Sequence, residues 1–213
     1  GVGYSAYDLD WSVHALRVQR VHPGDDDPND LVVDCERGKH AVEQYLSGRF
    51  YMYAQVYYHK TVRAAEGMLI ATMRRFAELA RKGAAPPGLA VAEKLARGEA
   101  VRVDEYLALD DVALLAALDA WAGSAKDRVL ADLSARLVAR KLFKTIDLGD
   151  DTELADKLAP RFADAARAAL GERAPYYWSV DRAERLGYRP SPGEEIFVVG
   201  HPRHGTVDLG QLI

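Results

Sequence analysis

The most informative stretch of the sequence is RFYMYAQVYYHK, residues 49–60, which lies in a proline-free run from Lys39 to Lys82. Arg49, Tyr53 and Tyr57 are each four residues apart, so on an α-helix they share one face, and Lys60 extends that face. Arginine and lysine suit phosphate oxygens, whereas phenol rings pack on a sugar or base. The stripe fits a nucleotide ligand. The alternative is an amphipathic helix with core tyrosines and solvated charges.

Helix formers dominate the whole proline-free run, which predicts one long helix or two consecutive helices. Gly48 is the predicted break or kink. Six side chains in the second part recur with helical spacing and are expected to face the core: Met68, Leu69, Thr72, Met73, Phe76 and Leu79.

Shorter elements are predicted on both sides of this run. Before it, Asp8 can cap a short helix containing Leu9, Val13, Leu16 and Arg17, an acidic turn occupies residues 23–30, and residues 31–33 form a strand. After a linker at 83–88, we expect caps at Asp104 and Asp110, a capping box of Ser124 and Asp127, and a helix over 152–170. Strands are predicted at 142–148, 176–180 and 195–199, the last entering a hairpin through residues 201–205.

The fold class predicted from these elements is mainly α, of the α+β type, with a small C-terminal β-sheet. The net charge of −4 gives no general attraction to nucleic acid, and no apolar run approaches the length of a membrane span. Cys35 is the only cysteine, which excludes an internal disulfide and favours a cytoplasmic location.

Several segments resemble one family in the same order along the chain. RFYMYAQVYYHKTVRAAEGML, from Arg49 to Leu69, resembles the signature that follows the catalytic core of HD-type deoxynucleoside triphosphate (dNTP) triphosphohydrolases. The opening GVGYSAYDLDWSVHALRV is similar to the turn and helix after that family's last metal-binding aspartate. Similar later segments are YLALDDVALLAAL, ARKLFKTIDL, YYWSVD and EEIFVVG.

The resemblance implies a domain organisation and an activity. Residues 1–82 would be the C-terminal part of an HD-type catalytic core with a substrate-facing helix, 83–88 a linker, and 89–213 a helical region ending in a strand-rich element. The implied enzyme hydrolyses a dNTP to the deoxynucleoside and triphosphate, and assembles as a homo-oligomer.

Site residues follow from the same resemblance. Arg49 would contact substrate phosphate, Tyr53 would lie near the substrate, and Tyr57 would pack against the deoxyribose and leave no space for a 2′-hydroxyl. His59 and Lys60 match residues that hold an activating nucleotide at a subunit interface. Weaker effector matches are Val2, Arg37, Arg140 and Lys144. The family has an arginine where this chain has Trp11 and a basic residue where it has Cys35, which would alter effector binding.

Metal ligands are the missing part of the implied site. The family holds a divalent metal (Mg, Mn, Fe, Ni or Zn) with a His, a His-Asp pair and a later Asp. No histidine of this chain precedes an Asp, so no catalytic or metal-binding residue is assigned here. The resemblance places those ligands in an N-terminal HD half upstream of Gly1, and the chain alone is expected to be inactive.

Other residue clusters have simpler interpretations. His201 and His204 suit a solvated hairpin tip better than a metal site, His40 suits a surface helix, the acidic residues 25–27 suit a solvated loop, and Cys35 lacks a nucleophile motif. Two other functions stay open: a noncatalytic nucleotide-binding or oligomerisation module, and a helical interaction domain.

Overall fold

The computed structural model describes residues 8–21, 30–149, 151–182, 188 and 195–212. The described chain is mostly helical with a four-stranded mixed sheet, which confirms the predicted fold class. It forms two compact units, one of residues 1–58 with 183–213 and one of residues 59–182. The predicted division at the linker 83–88 is a different one and stays a prediction. Val2 and most of the predicted acidic turn lie outside the described residues.

The first unit combines elements from both ends of the sequence. They are α1 (Leu9–His14), β1 (Leu16–Gln19), β2 (Asp30–Asp34), α2 (Cys35–Met52), a π-helical segment (Tyr53–Tyr57), β3 (Phe197–His201), β4 (Gly205–Asp208) and a 3₁₀ turn (Leu209–Gln211). The strand order is β1-β2-β3-β4, with β2 and β3 parallel and the outer pairs antiparallel. Two strands therefore come from before α2, although the sequence indicated only a C-terminal sheet.

One apolar cluster holds the first unit together. Val33 of β2, Leu46 of α2, Val198 of β3 and Leu209 are buried against one another. The helix α2 approaches the sheet closely at Gly38, where an added Cβ would lie 2.5 Å from Val33 Cγ1. Because Gly38 has no side chain, α2 can pack closely against the strands.

The second unit is helical. Its elements are α3 (Lys60–Arg81), α4 (Ala90–Ala96), α5 (Val103–Leu107), α6 (Asp111–Ser124), α7 (Arg128–Val138), α8 (Thr152–Leu170) and a 3₁₀ helix (Gly171–Tyr176). Phe76 stacks on Trp121 with ring centroids 4.8 Å apart, at the centre of its core. Five of the six positions predicted on α3 pack in this core or in the cluster around Met68, and the sixth, Thr72, is buried and donates its hydroxyl to the Met68 carbonyl.

Helix caps follow the prediction in part. Asp8 accepts a hydrogen bond from the Trp11 amide at 2.9 Å, and Asp110 caps α6 in the same way. The cap of α7 is Asp127, because the Ser124 hydroxyl instead donates to the carbonyl of its own helix four residues back. Asp104 lies within the first turn of α5 and is not its cap.

Four secondary-structure predictions are wrong. Leu16 and Arg17 lie in β1, because α1 ends at His14. Gly48 is a buried residue inside α2, and the helix breaks instead at residues 58–59. Residues 142–148 and 176–180 are not strands. Leu142, Phe143, Tyr176 and Tyr177 pack in the cluster around Met68, and none of the described strands pairs with either segment.

The helix 152–170 and the C-terminal hairpin are confirmed, the latter as β3 and β4 joined at residues 202–204. Among the described helices, none is long and apolar enough to cross a membrane.

Candidate functional site

Arg49, Tyr53 and Tyr57 form a continuous row in the first unit. The Arg49 guanidinium carbon lies over the Tyr53 ring, 5.0 Å from its centroid. Tyr53 and Tyr57 have ring centroids 5.0 Å apart at an interplanar angle of 52°. The Tyr57 side of the row is open to solvent, since Tyr57 is 49% exposed. The structure thus brings together the three residues that the sequence placed on one helix face.

The row crosses from α2 into the π-helical segment, which the sequence did not indicate. The Tyr58 amide donates to the Tyr53 carbonyl at 2.8 Å, five residues back, and the Tyr58 ring lies edge-on to Tyr53 at 5.6 Å. π-Helical turns are rare and are often found at functional sites. In the sequence, the only indication of the Tyr58 ring beside Tyr53 is that Tyr57 and Tyr58 are adjacent.

Arg49 forms no ion pair with the residues that the structure describes. Among the described residues, no carboxylate pairs with Arg49, and its polar or aromatic partner is the Tyr53 ring. A guanidinium stacked on a ring keeps its N–H donors, which lie in its own plane, free for another acceptor. Arg49 is exposed and can therefore offer paired donors to an anion.

His59 and Lys60 belong to the second unit and begin a new helix. His59 is the N-cap of α3, where its Nδ1 accepts a hydrogen bond from the Thr61 amide at 3.2 Å. Lys60 is the exposed first residue of α3. Because the helix breaks before them, the single face predicted over residues 49–60 extends only from Arg49 to Tyr57.

The weaker effector candidates lie in three different settings. Arg37 is in the first turn of α2, and its carbonyl accepts the indole N–H of Trp11 at 2.7 Å. Arg140 follows α7 with a φ of 54°, in the left-handed region, and Lys144 is exposed in the irregular segment after it. The effector roles of Arg37, Arg140 and Lys144 stay predictions.

A polar and aromatic network in the second unit was missed at the sequence level. Arg75 on α3 makes two hydrogen bonds to the Asp127 carboxylate, at 3.1 and 2.6 Å, and also contacts Glu78 and the Tyr176 hydroxyl. The hydrogen bonds from Arg75 lower the pKa of Asp127 and hold it ionised. Burial and the hydrogen bond to Glu78 raise the pKa of Tyr176. This network joins α3, α7 and the 3₁₀ helix.

The irregular segment that carries Lys144 is anchored to the same region. The Phe143 amide donates to Met68 Sδ at 3.3 Å, and its ring lies 5.8 Å from that of Tyr177. Tyr177 in turn donates its hydroxyl to Asp132 at 2.9 Å. Burial, followed by the Asp132 hydrogen bond, raises the pKa of Tyr177 to about 12.

Metal-binding geometry is absent from the part of the chain that the structure describes: no group of three or more His, Cys, Asp or Glu side chains there could hold an ion. His201 and His204 stack at the hairpin tip with ring centroids 4.9 Å apart. Desolvation is the largest cause that lowers the pKa of His201, and the neighbouring His204, Lys39 and Arg203 lower it further.

Comparison with known proteins finds similarity to a protein family, to a curated relative and to a solved structure. A family described as the HD-associated region matches residues 24–86. The uncharacterized protein YwfO of Bacillus subtilis is 31% identical over 100% of this chain and 46% of its own length. A phosphohydrolase crystal structure from Bacteroides thetaiotaomicron matches with a TM-score of 0.65 and 25% identity, over 95% of this chain and 49% of that one.

The chain thus spans about half the length of both relatives. Residues 24–86 match the HD-associated region, and nearly the whole chain is similar to about half of a phosphohydrolase.

Proposed function

We propose that this chain supplies phosphate and sugar contacts to a metal-dependent phosphohydrolase that converts a dNTP and water into a deoxynucleoside and inorganic triphosphate. The observation that carries the proposal is the row of Arg49, Tyr53 and Tyr57, a guanidinium with no carboxylate partner among the described residues and two phenol rings. The divalent metal, its ligands and the water that it activates would belong to the half of the relatives that this chain does not span.

Arg49 is the proposed phosphate contact. A triphosphate carries several negative oxygens, and a guanidinium binds two of them through parallel N–H donors. The guanidinium carbon lies 5.0 Å from the Tyr53 ring centroid, a cation–π contact that holds the guanidinium beside the ring. An arginine already paired with a carboxylate would have to lose that partner first, and Arg49 has none among the described residues.

Tyr53 and Tyr57 are the proposed walls of the sugar site. Their tilted arrangement leaves the Tyr57 ring half exposed beside the guanidinium. A deoxyribose has an apolar C2′ that can press on a phenol ring, whereas a ribose would bring a hydroxyl into the same space. Similarity to a phosphohydrolase supports phosphate chemistry, and the preference for a deoxynucleotide follows from the resemblance of residues 49–69 to dNTP triphosphohydrolases.

Regulation by a second nucleotide is part of the proposal. His59 and Lys60 would bind the activating nucleotide in a homo-oligomer, with Val2, Arg37, Arg140 and Lys144 as further contacts. Trp11, which replaces a family arginine, already uses its indole N–H on the Arg37 carbonyl. The effector specificity would therefore differ from that of family members with a cation at this position.

The test is Arg49→Ala in the full-length protein, assayed with dNTPs and added divalent metal. Loss of a charged phosphate contact is expected to lower kcat/KM by about 10- to 100-fold, since hydrogen bonds to charged groups contribute about 1.5–3 kcal/mol. The melting temperature should hardly change, because the exposed Arg49 has no ion pair to lose. Arg161→Ala, another exposed helical arginine, is the matched control. Equal kcat/KM in the wild type and Arg49→Ala would refute the role.

The alternative function is a noncatalytic nucleotide-binding or oligomerisation module. The row of Arg49, Tyr53 and Tyr57 would bind a nucleotide through the same contacts without any chemical step. Calorimetry on the full-length protein separates the possibilities. Binding of dNTP that depends on Arg49 but gives no turnover with any of the expected metals supports this alternative. No binding at millimolar nucleotide supports the helical interaction domain.

A further inference from the structure

We infer that Tyr58 is a positioning residue: it fixes the Tyr53 ring, and through that ring the Arg49 guanidinium, in the geometry that receives phosphate. The inference rests on the proposed function, which assigns phosphate binding to Arg49. It goes beyond that function because neither the helical spacing nor the resemblance gives Tyr58 a role.

The π-helical register is what brings Tyr58 to Tyr53. In an α-helix a residue five positions ahead is rotated by about 140° from the first, so the two side chains point in different directions. Here the Tyr58 amide bonds to the Tyr53 carbonyl at 2.8 Å, and the wider turn aligns the two residues. Their rings meet at 5.6 Å and 61°, the edge-to-face geometry that aromatic pairs prefer.

Tyr53 is consequently held from two directions. Tyr57 lies at 5.0 Å and Tyr58 at 5.6 Å from its centroid, while the Arg49 guanidinium carbon sits over the ring at 5.0 Å. The Tyr53 ring is half-buried, and two neighbours restrict the angle at which it stands. With a single ring neighbour, as in an uninterrupted α-helix, that angle would be less constrained.

The orientation of Arg49 depends on this ring. Among the described residues Arg49 has no ion pair to hold it, so the contact with the Tyr53 ring is what restricts the guanidinium. A long arginine side chain that is free to rotate loses more conformational entropy on binding, and so binds more weakly. Tyr58 thus acts on phosphate binding without touching phosphate.

The experiment measures the binding of inorganic tripolyphosphate to the full-length protein by calorimetry. Tyr58→Ala should raise the Kd by about three- to tenfold, the value of one aromatic pair. Tyr58→Phe keeps the ring edge and should restore most of the affinity. Tyr51→Ala is the matched control, because Tyr51 is 50% exposed on α2 and contacts Phe50 rather than Tyr53. Tyr58→Leu, which keeps apolar volume without an aromatic edge, should behave like Tyr58→Ala at an unchanged melting temperature.

A second readout does not depend on phosphate. With 3-fluorotyrosine at position 53, the ¹⁹F resonance should shift in Tyr58→Ala and stay in place in Tyr51→Ala, because only the first change removes a ring current at Tyr53. An unmoved resonance overturns the inference. If Arg49→Ala weakens tripolyphosphate binding and Tyr58→Leu does not, the positioning role is refuted and the proposed function stands. If Arg49→Ala itself has no effect, the proposed function fails, and with it the phosphate role of Tyr58.

Discussion

Two arginines of this protein differ in whether a carboxylate pairs with them. Arg75 donates hydrogen bonds to Asp127, Glu78 and Tyr176, and so joins three elements of the second unit. Arg49 has a ring beneath it and no carboxylate within the described residues. The donors of Arg75 are used within the protein, whereas the exposed guanidinium of Arg49, which has no carboxylate partner among the described residues, is available to a ligand.

Tyr57→Ala tests the sugar contact. Removing the ring opens space beside C2′, so the full-length variant is expected to lose discrimination between a dNTP and the matching ribonucleotide. The ratio of their Kd values, measured by calorimetry, should move toward one, mainly through tighter relative binding of the ribonucleotide. Tyr51→Ala is the control, because it removes an equally exposed tyrosine from the same helix. A preserved ratio in Tyr57→Ala would remove Tyr57 from the sugar site.

At the level of elements, close packing and register matter more than helix propensity. α2 has three buried residues, Gly38, Leu46 and Gly48, and at Gly38 an added Cβ would lie 2.5 Å from Val33 Cγ1. The helix then continues into the π-helical segment, which ends at Tyr57. Gly48 resembled a helix break in the sequence, yet it is a buried residue inside α2.

Gly38→Ala is expected to destabilise the first unit. Its Cβ would lie 2.5 Å from Val33 Cγ1 and 2.8 Å from Ala15 Cβ, so α2 or the strand must shift. Overpacking of this kind costs about 1–3 kcal/mol, measurable as a lower midpoint in denaturant unfolding.

Gly123→Ala is the matched control, and it is expected to raise the free energy of unfolding rather than lower it. An added Cβ on Gly123 in α6 meets no atom within 4 Å, and alanine lowers the entropy of the unfolded chain. We expect a gain of about 0.4–1 kcal/mol. Equal effects of the two substitutions would show that α2 does not contact the sheet as described.

Across the whole molecule, each compact unit contains a tyrosine held by a carboxylate. Tyr188 in the first unit donates to Asp208 at 2.8 Å and accepts the Ile196 amide, while Tyr177 in the second donates to Asp132. Burial first, and the carboxylate partner next, raises the pKa of Tyr177 to about 12. Burial is also the largest cause for Tyr188, whose pKa is likewise raised to about 12.

Both units should therefore lose stability at alkaline pH. Because the folded pKa of each phenol lies above the unfolded value of 10.0, its contribution is fully present below pH 10 and disappears as the pH rises toward about 12. Thermal unfolding followed over this range should show a falling melting temperature. Tyr177→Phe and Tyr188→Phe should each make the melting temperature of one unit less dependent on pH. Two phenols that ionise near pH 10 in the folded protein would contradict this account.

Local sequence features were sufficient for the helices, most of the caps and the alignment of Arg49, Tyr53 and Tyr57, because spacing and capping depend on residues close in the chain. The joining of β2 to β3, the π register at Tyr53–Tyr57 and the partners of Arg75 appeared only in three dimensions. Pairing between distant strands and ion pairs across helices depend on residues far apart in sequence, and no local pattern records them. The π turn adds one residue to a helical period that otherwise looks regular. Helical spacing therefore predicted that Tyr57 lies beside Tyr53, but it did not predict the contact between Tyr58 and Tyr53.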